Sequence, residues 1–173
     1  LPNALKDKGL APLIDVKRAG TQEATIWSSE HVLRLDELEI EQQFPPENCS
    51  YEHAEIRVFD NLAARHGHIA KKGSGMSGLA MLEKLRRNIV FGQTHRQSIT
   101  FHTHWDINKK PHRLVAVEAG TMARVNETGM GYNPCPDWQQ GFAVAQQSGD
   151  SFVVDLATWT DGCLRWRDYE FTV

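Results

Sequence analysis

The apolar positions of the chain change period several times, and each change predicts an element. Residues 2–8 follow Pro2 and stop at Gly9, which predicts a short opening helix. Ser29 stands as an N-cap ahead of Val32, Leu33, Leu35 and Leu38, predicting a second helix. Phe44-Pro45-Pro46-Glu47-Asn48 ends that pattern as a loop. Ile56-Arg57-Val58-Phe59 and Leu62-Ala63-Ala64-Arg65, on either side of Asp60-Asn61, predict two strands around a tight turn. After the Gly/Ser-rich stretch Lys71 to Gly78, Leu79, Leu82 and Leu85 recur at helical spacing, and the basic run Lys84 to Arg87 suits a helix C-terminus. Asn88-Ile89-Val90-Phe91 then reads as a short buried strand that delivers Gly92 and its successors to a sheet rim.

Beyond Gly92 the period is two. Ile99, Phe101, Thr103 and Trp105 alternate with Thr100, His102 and His104, and Leu114-Val115-Ala116-Val117 is a further strand. Residues 141–147, 151–159 and 163–171 predict a meander, turned at Ser148-Gly149-Asp150 and Asp161-Gly162. Neither an internal repeat nor a low-complexity stretch divides the chain, so residues 1–173 read as a single α/β domain.

Composition narrows the classes. The 173 residues are 40% hydrophobic and 24% charged, values for a globular protein rather than a disordered tail. Nineteen Lys and Arg against twenty-two Asp and Glu, net −3, argue against a broadly basic nucleic-acid clamp. No apolar run approaches the ~20 residues that span a bilayer, so no membrane partner is expected. Cys49, Cys135 and Cys163 are odd in number and far apart, which disfavours a disulfide framework and fits a reducing cytoplasm. The chain opens at Leu1-Pro2-Asn3 without Met, and that start reads as cut or processed.

The candidate chemistry lies in the histidines. Six of the eight fall between His66 and His112. Arg65-His66-Gly67-His68 and Gly92-Gln93-Thr94-His95-Arg96 each follow a predicted strand, and strand ends gather at one rim of an α/β sheet, where imidazoles can share a metal or a phosphate. The plainer reading is two surface loops. His102 and His104 form an HxH pair that can bind metal, although a solvated strand face explains them more simply. The loop Gly73 to Gly78 can cradle a phosphate at a helix N-terminus or be a mobile loop capped by Ser77. Arg96 suits a substrate phosphate or a surface salt bridge. The five tryptophans are read as core and sheet-face residues rather than as base-stacking platforms.

His66-Gly67, a helix, then a strand into Gly92-x-Thr94-His95-Arg96 resembles the second half of the calcineurin-like metallophosphoesterases, and in particular their phage and bacterial branch. The run from Gly129 to Phe142 is similar to the same branch. The resemblance implies the C-terminal part of a four-layer αββα sandwich, with a mixed sheet and an antiparallel C-terminal region. It implies hydrolysis of a phosphomonoester or phosphodiester by two divalent ions (Mn, Zn, Fe or Mg), with a nucleotide or nucleic acid as a conceivable substrate. His66, Gln93 and His95 take metal-ligand positions in it and Arg96 a substrate position. The expected location is the cytoplasm, or the host cytoplasm for a phage-encoded chain.

Two departures qualify the expectation. The DxH, GDxxD and GNH blocks of the family are absent, so the chain reads as starting downstream of the third block. Gln93 stands where the family has the first His of GHxH, and an amide is a weaker ligand than imidazole. The phosphoesterase is therefore incomplete in this chain, and the rival reading is a catalytically inactive structural or binding protein on the same scaffold. A half-sandwich should also leave Ile89, Val90 and Phe91 near an unpaired edge, requiring an N-terminal half or an oligomer partner to cover them.

Overall fold

The computed structural model describes residues 37–39, 49, 53–125 and 136–172. The chain divides into units 1–43 and 44–173, and the second is described by itself. The helix expected at residues 2–8 and the loop at 44–48 lie outside the described residues, as do Trp27 and Cys135. Of the second expected helix only Glu37, Leu38 and Glu39 are described, and they form a turn.

The described residues hold nine strands and one helix, a mixed α/β arrangement with mostly strand. Strands β1 (Ile56–Phe59) and β2 (Leu62–Arg65) form the expected hairpin at Asp60-Asn61, braced by an Arg57–Asp60 ion pair. Helix α1 (Met76–Leu85) carries the chain back across the sheet, so β3 (Ile89–Phe91) runs parallel to β2. Strands β4 (Gln97–Trp105) and β5 (Pro111–Ala119) pair antiparallel over nine residues each, and β5 lies parallel to β3. The resulting sheet has the order β1-β2-β3-β5-β4.

Strand β3 is therefore central, not marginal. Ile89 and Phe91 are 0% and 1% exposed, sealed with Met81, Leu82 and Ala116 in the core under α1. The expectation of an unpaired edge at Ile89 to Phe91 is overturned, because β2 and β5 take both of its sides.

Helix α1 begins at Met76, within the stretch expected to be loop. Ser77 is not its cap: Gly75 holds that position with φ 79°, and the Ser77 hydroxyl accepts the Lys71 N–H at 2.9 Å instead. At the other end Arg86 takes a left-handed φ of 52° and its N–H donates to the Leu82 carbonyl.

The second sheet is the antiparallel meander β6 (Gly141–Ser148), β7 (Ser151–Thr160), β8 (Cys163–Trp166) and β9 (Tyr169–Thr172). The single strand expected over 163–171 is in fact the hairpin β8–β9, folded at Arg167-Asp168 with Arg167 at φ 53°. Gln97 joins the two sheets: its Nε2 donates to the Ala157 carbonyl at 2.9 Å, and its Oε1 accepts the Thr158 hydroxyl at 2.8 Å. None of the described helices is long and apolar enough to cross a membrane.

Candidate functional site

The parallel strands β2 and β3 end side by side, with Arg65 opposite Phe91, and the segments leaving them lock together. The Gly92 and Gln93 N–H groups both donate to the His66 carbonyl, at 3.1 and 2.9 Å. Gly67 makes this closeness possible. It sits at φ 102°, and a Cβ there would lie 3.2 Å from the Phe91 ring and 3.3 Å from Gln93 Cβ. His66, Gln93 and His95 thus stand at one rim, while β4 leaves the same turn in the opposite direction.

His95 has a left-handed φ of 57°, held by its N–H to the Gly92 carbonyl and by the Gln139 N–H to its own carbonyl, both 3.0 Å. Trp138 meets the imidazole edge-on, with ring centroids 4.9 Å apart. Burial lowers the His95 pKa, and the neighbouring His66 lowers it further, so the neutral ring is favoured. His66 is exposed, with Nδ1 3.2 Å from the Gly67 carbonyl, which accepts from it in the Nδ1–H tautomer. Gln93 Oε1 is buried and has no hydrogen-bond partner.

Behind the rim lies a polar hub that the sequence reading missed. Glu118, at the end of β5, is fully buried. Its Oε1 accepts the Thr94 hydroxyl at 2.8 Å; its Oε2 accepts the Gly75 N–H at 2.7 Å and the Ser98 hydroxyl. Arg96 is drawn into the same hub, with Nε 4.0 Å from Glu118 Oε1 and Nη2 donating to the Lys71 carbonyl at 2.5 Å. Its guanidinium is thus committed to the loop before α1. A signal for the hub was present: Glu118 is a lone acid closing the apolar run Leu114 to Val117.

The other histidines are dispersed. His68 turns toward α1, where Lys84 Nζ donates to its Nε2 at 2.9 Å. His102 and His104 are half-buried and line a cavity with Leu82, Glu83, Arg86 and Leu114. The expectation of a solvated HxH face is corrected, since the opposite face carries Phe101 and Trp105 at 57% and 60% exposure. The end of α1 shelters the histidines.

Comparison with protein-family models, curated proteins and solved structures finds no match. The functional argument therefore rests on the rim itself. His66, Gln93 and His95 lie on the two loops that leave it. Among the described residues, no group of three or more His, Cys, Asp or Glu side chains is arranged to hold a metal ion. None of the three rim residues is a carboxylate, and two dications held close together need carboxylates between them. The described residues do not by themselves fit a two-metal centre.

Proposed function

We propose that the rim at His66, Gln93 and His95 is one wall of a phosphate-ester site on a metallophosphoesterase-type scaffold, with its carboxylates supplied from outside the described residues. The observation that carries this reading is the pairing of the two strand-end loops through the His66 carbonyl, which joins the backbones of His66 and Gln93 two residues before His95. The lowered His95 pKa supports it, because a neutral imidazole is the form that ligates. So does the orphaned Gln93 Oε1, a buried acceptor awaiting a cation or a water. In the four-layer sandwich of this reading, the mixed sheet and the meander are the two inner layers and α1 belongs to one outer layer. Arg96 acts by fixing the Lys71–Gly75 loop beside the rim.

The rival, an inactive binding protein on this scaffold, draws on Gln93, whose amide is a weaker ligand than imidazole for Mn, Zn or Fe. One titration separates the two readings. With Mn²⁺ or Zn²⁺ added to the 173-residue chain, calorimetry should give weak one-site binding that His95→Ala removes and Gln93→His strengthens about tenfold or more. Hydrolysis of a chromogenic phosphodiester should stay at background throughout. Metal binding indifferent to His95 and Gln93 counts against the phosphate-ester site and leaves the binding-protein reading.

A further inference from the structure

On the helix-covered side of β2 lies a cavity of about 190 Å³, the space of roughly six waters at ~30 Å³ each, separate from the rim. Its wall is formed by His53, Glu55, Arg65, His68, Lys84 and Arg87, with Leu85 as its apolar side. Three cationic side chains face one carboxylate, and that carboxylate is already taken, since Arg87 Nη2 donates to Glu55 Oε2 at 2.6 Å. Arg65 is only 9% exposed, and its Nη2 is buried without a hydrogen-bond partner. Buried charged donors are ordinarily paired, because leaving one without an acceptor forfeits its hydration and returns nothing. Lys84 adds a second cation from α1 and donates to His68 Nε2, which fixes that imidazole as neutral at this nitrogen.

We propose that this cavity is a binding site for a phosphate-class oxyanion, held by the Arg65 guanidinium with Lys84 and Arg87 as charge partners. A tetrahedral dianion supplies what the cavity lacks: acceptors for Nη2 and compensation for the excess positive charge. The planar fork of Arg65, fixed at the end of β2, provides geometry that a surface lysine cluster would not. The site does not depend on the phosphate-ester reading of the rim. Its ligand is either the free ion or the phosphate group of a small ester such as a nucleotide.

The test is calorimetry on the full chain at low ionic strength, titrating inorganic phosphate and a nucleoside 5′-monophosphate in parallel, with chloride as the control. Saturable one-site binding is expected, weakened about tenfold by Arg65→Lys, which keeps the charge and loses the fork. Lys84→Gln and Arg87→Gln should each weaken it about two- to fivefold. These two residues lie at the surface and carry the test if the Arg65 variant fails to fold by circular dichroism. Binding that His95→Ala removes while Arg65→Lys spares it would place the anion at the rim and overturn the proposal. Tighter binding of inorganic phosphate assigns the free ion; tighter binding of the monophosphate assigns the ester. Absence of saturation with both, or binding indifferent to Arg65, Lys84 and Arg87, overturns the proposal.

Discussion

Glu118 shows how one side chain can organise a rim without standing on it. A buried carboxylate is tolerable only when its lone pairs are met, and here two hydroxyls and one backbone N–H meet them, with Arg96 nearby. Glu118→Ala strands three donors at once, and at about 1–3 kcal/mol for each buried orphan the loss should reach about 3 kcal/mol or more. Urea denaturation measures it, and a loss under about 1 kcal/mol would mean that water replaces the carboxylate. Glu118→Gln should fall between, since its amide oxygen can still accept from one side. His95 makes a different kind of prediction. Its folded pKa lies below the ordinary value near 6.5, so between the two values the unfolded chain binds more protons than the folded one. Its contribution to stability is present above about pH 6.5 and is lost as pH falls through the lowered value. Melting temperature should therefore rise with pH across that window, and His95→Gln should flatten the rise. A slope unchanged in His95→Gln would assign the proton to another group.

The elements were legible wherever local pattern decides them. The hairpin at Asp60-Asn61, helix α1, strand β3 and the alternation of β4 all stand where the apolar periods put them. The misreadings arose where tertiary contacts outrank local chemistry. Ser77 reads as a cap, yet its hydroxyl is taken by Lys71 from outside the helix. The 163–171 segment reads as one strand because nothing at Arg167-Asp168 announces a turn, and Arg167 has to adopt a left-handed backbone there. The rim was half legible: His66, Gln93 and His95 follow from two strand ends, but Trp138, Gln139 and Glu118 arrive from far along the chain. Packing between elements predicts two glycine effects of different size. A Cβ on Gly78 would lie 3.1 Å from Thr100 Oγ1 and 3.3 Å from Ala116 Cβ. Thr100 is pinned by its bond to the Gly75 carbonyl, so the ~1 kcal/mol helix-propensity gain of Gly78→Ala should be cancelled. Gly78→Val should lose about 2 kcal/mol. Gly141 is stricter, because a Cβ there would fall 2.1 Å from the Ala157 carbonyl oxygen, a backbone atom with nowhere to go. Gly141→Ala should lose more than about 3 kcal/mol, while a thermal melt within a few degrees of the parent would show that the β6–β7 ladder can shift.

At the scale of the whole molecule, the question of what covers the apolar surface moves from the middle of the mixed sheet to its margins. Strand β3 needs no partner, being paired on both sides. Among the described residues the edges are β1 and β4 in one sheet and β6 and β9 in the other. Two of them carry exposed aromatics: Phe101 and Trp105 on β4, and Tyr169 and Phe171 on β9 at 59% and 52% exposure. Across β8 and β9 the rings form a ladder, with Trp166, Tyr169 and Phe171 stacked at 5.9 and 6.3 Å between centroids. Natural edges are usually blunted by charge, proline or a bulge. Strand β4 ends in Trp105 with no charged residue between Gln97 and Asp106. Strand β9 has Glu170 alone, and Arg165 holds it at 3.5 Å. Each exposed aromatic, once covered, is worth on the order of 1–2 kcal/mol at about 25 cal/mol per Å², so a pair of such edges can sustain weak association. The chain should therefore show concentration-dependent sedimentation at tens to hundreds of micromolar, an order of magnitude set by a few kcal/mol of contact beyond the entropy of association. Trp105→Lys or Phe171→Lys should return it to a monomer without lowering the melting temperature, since neither ring is in the core. If both variants associate as the parent does, the contact lies elsewhere. If the parent is strictly monomeric at the highest concentration reached, twist alone protects these edges.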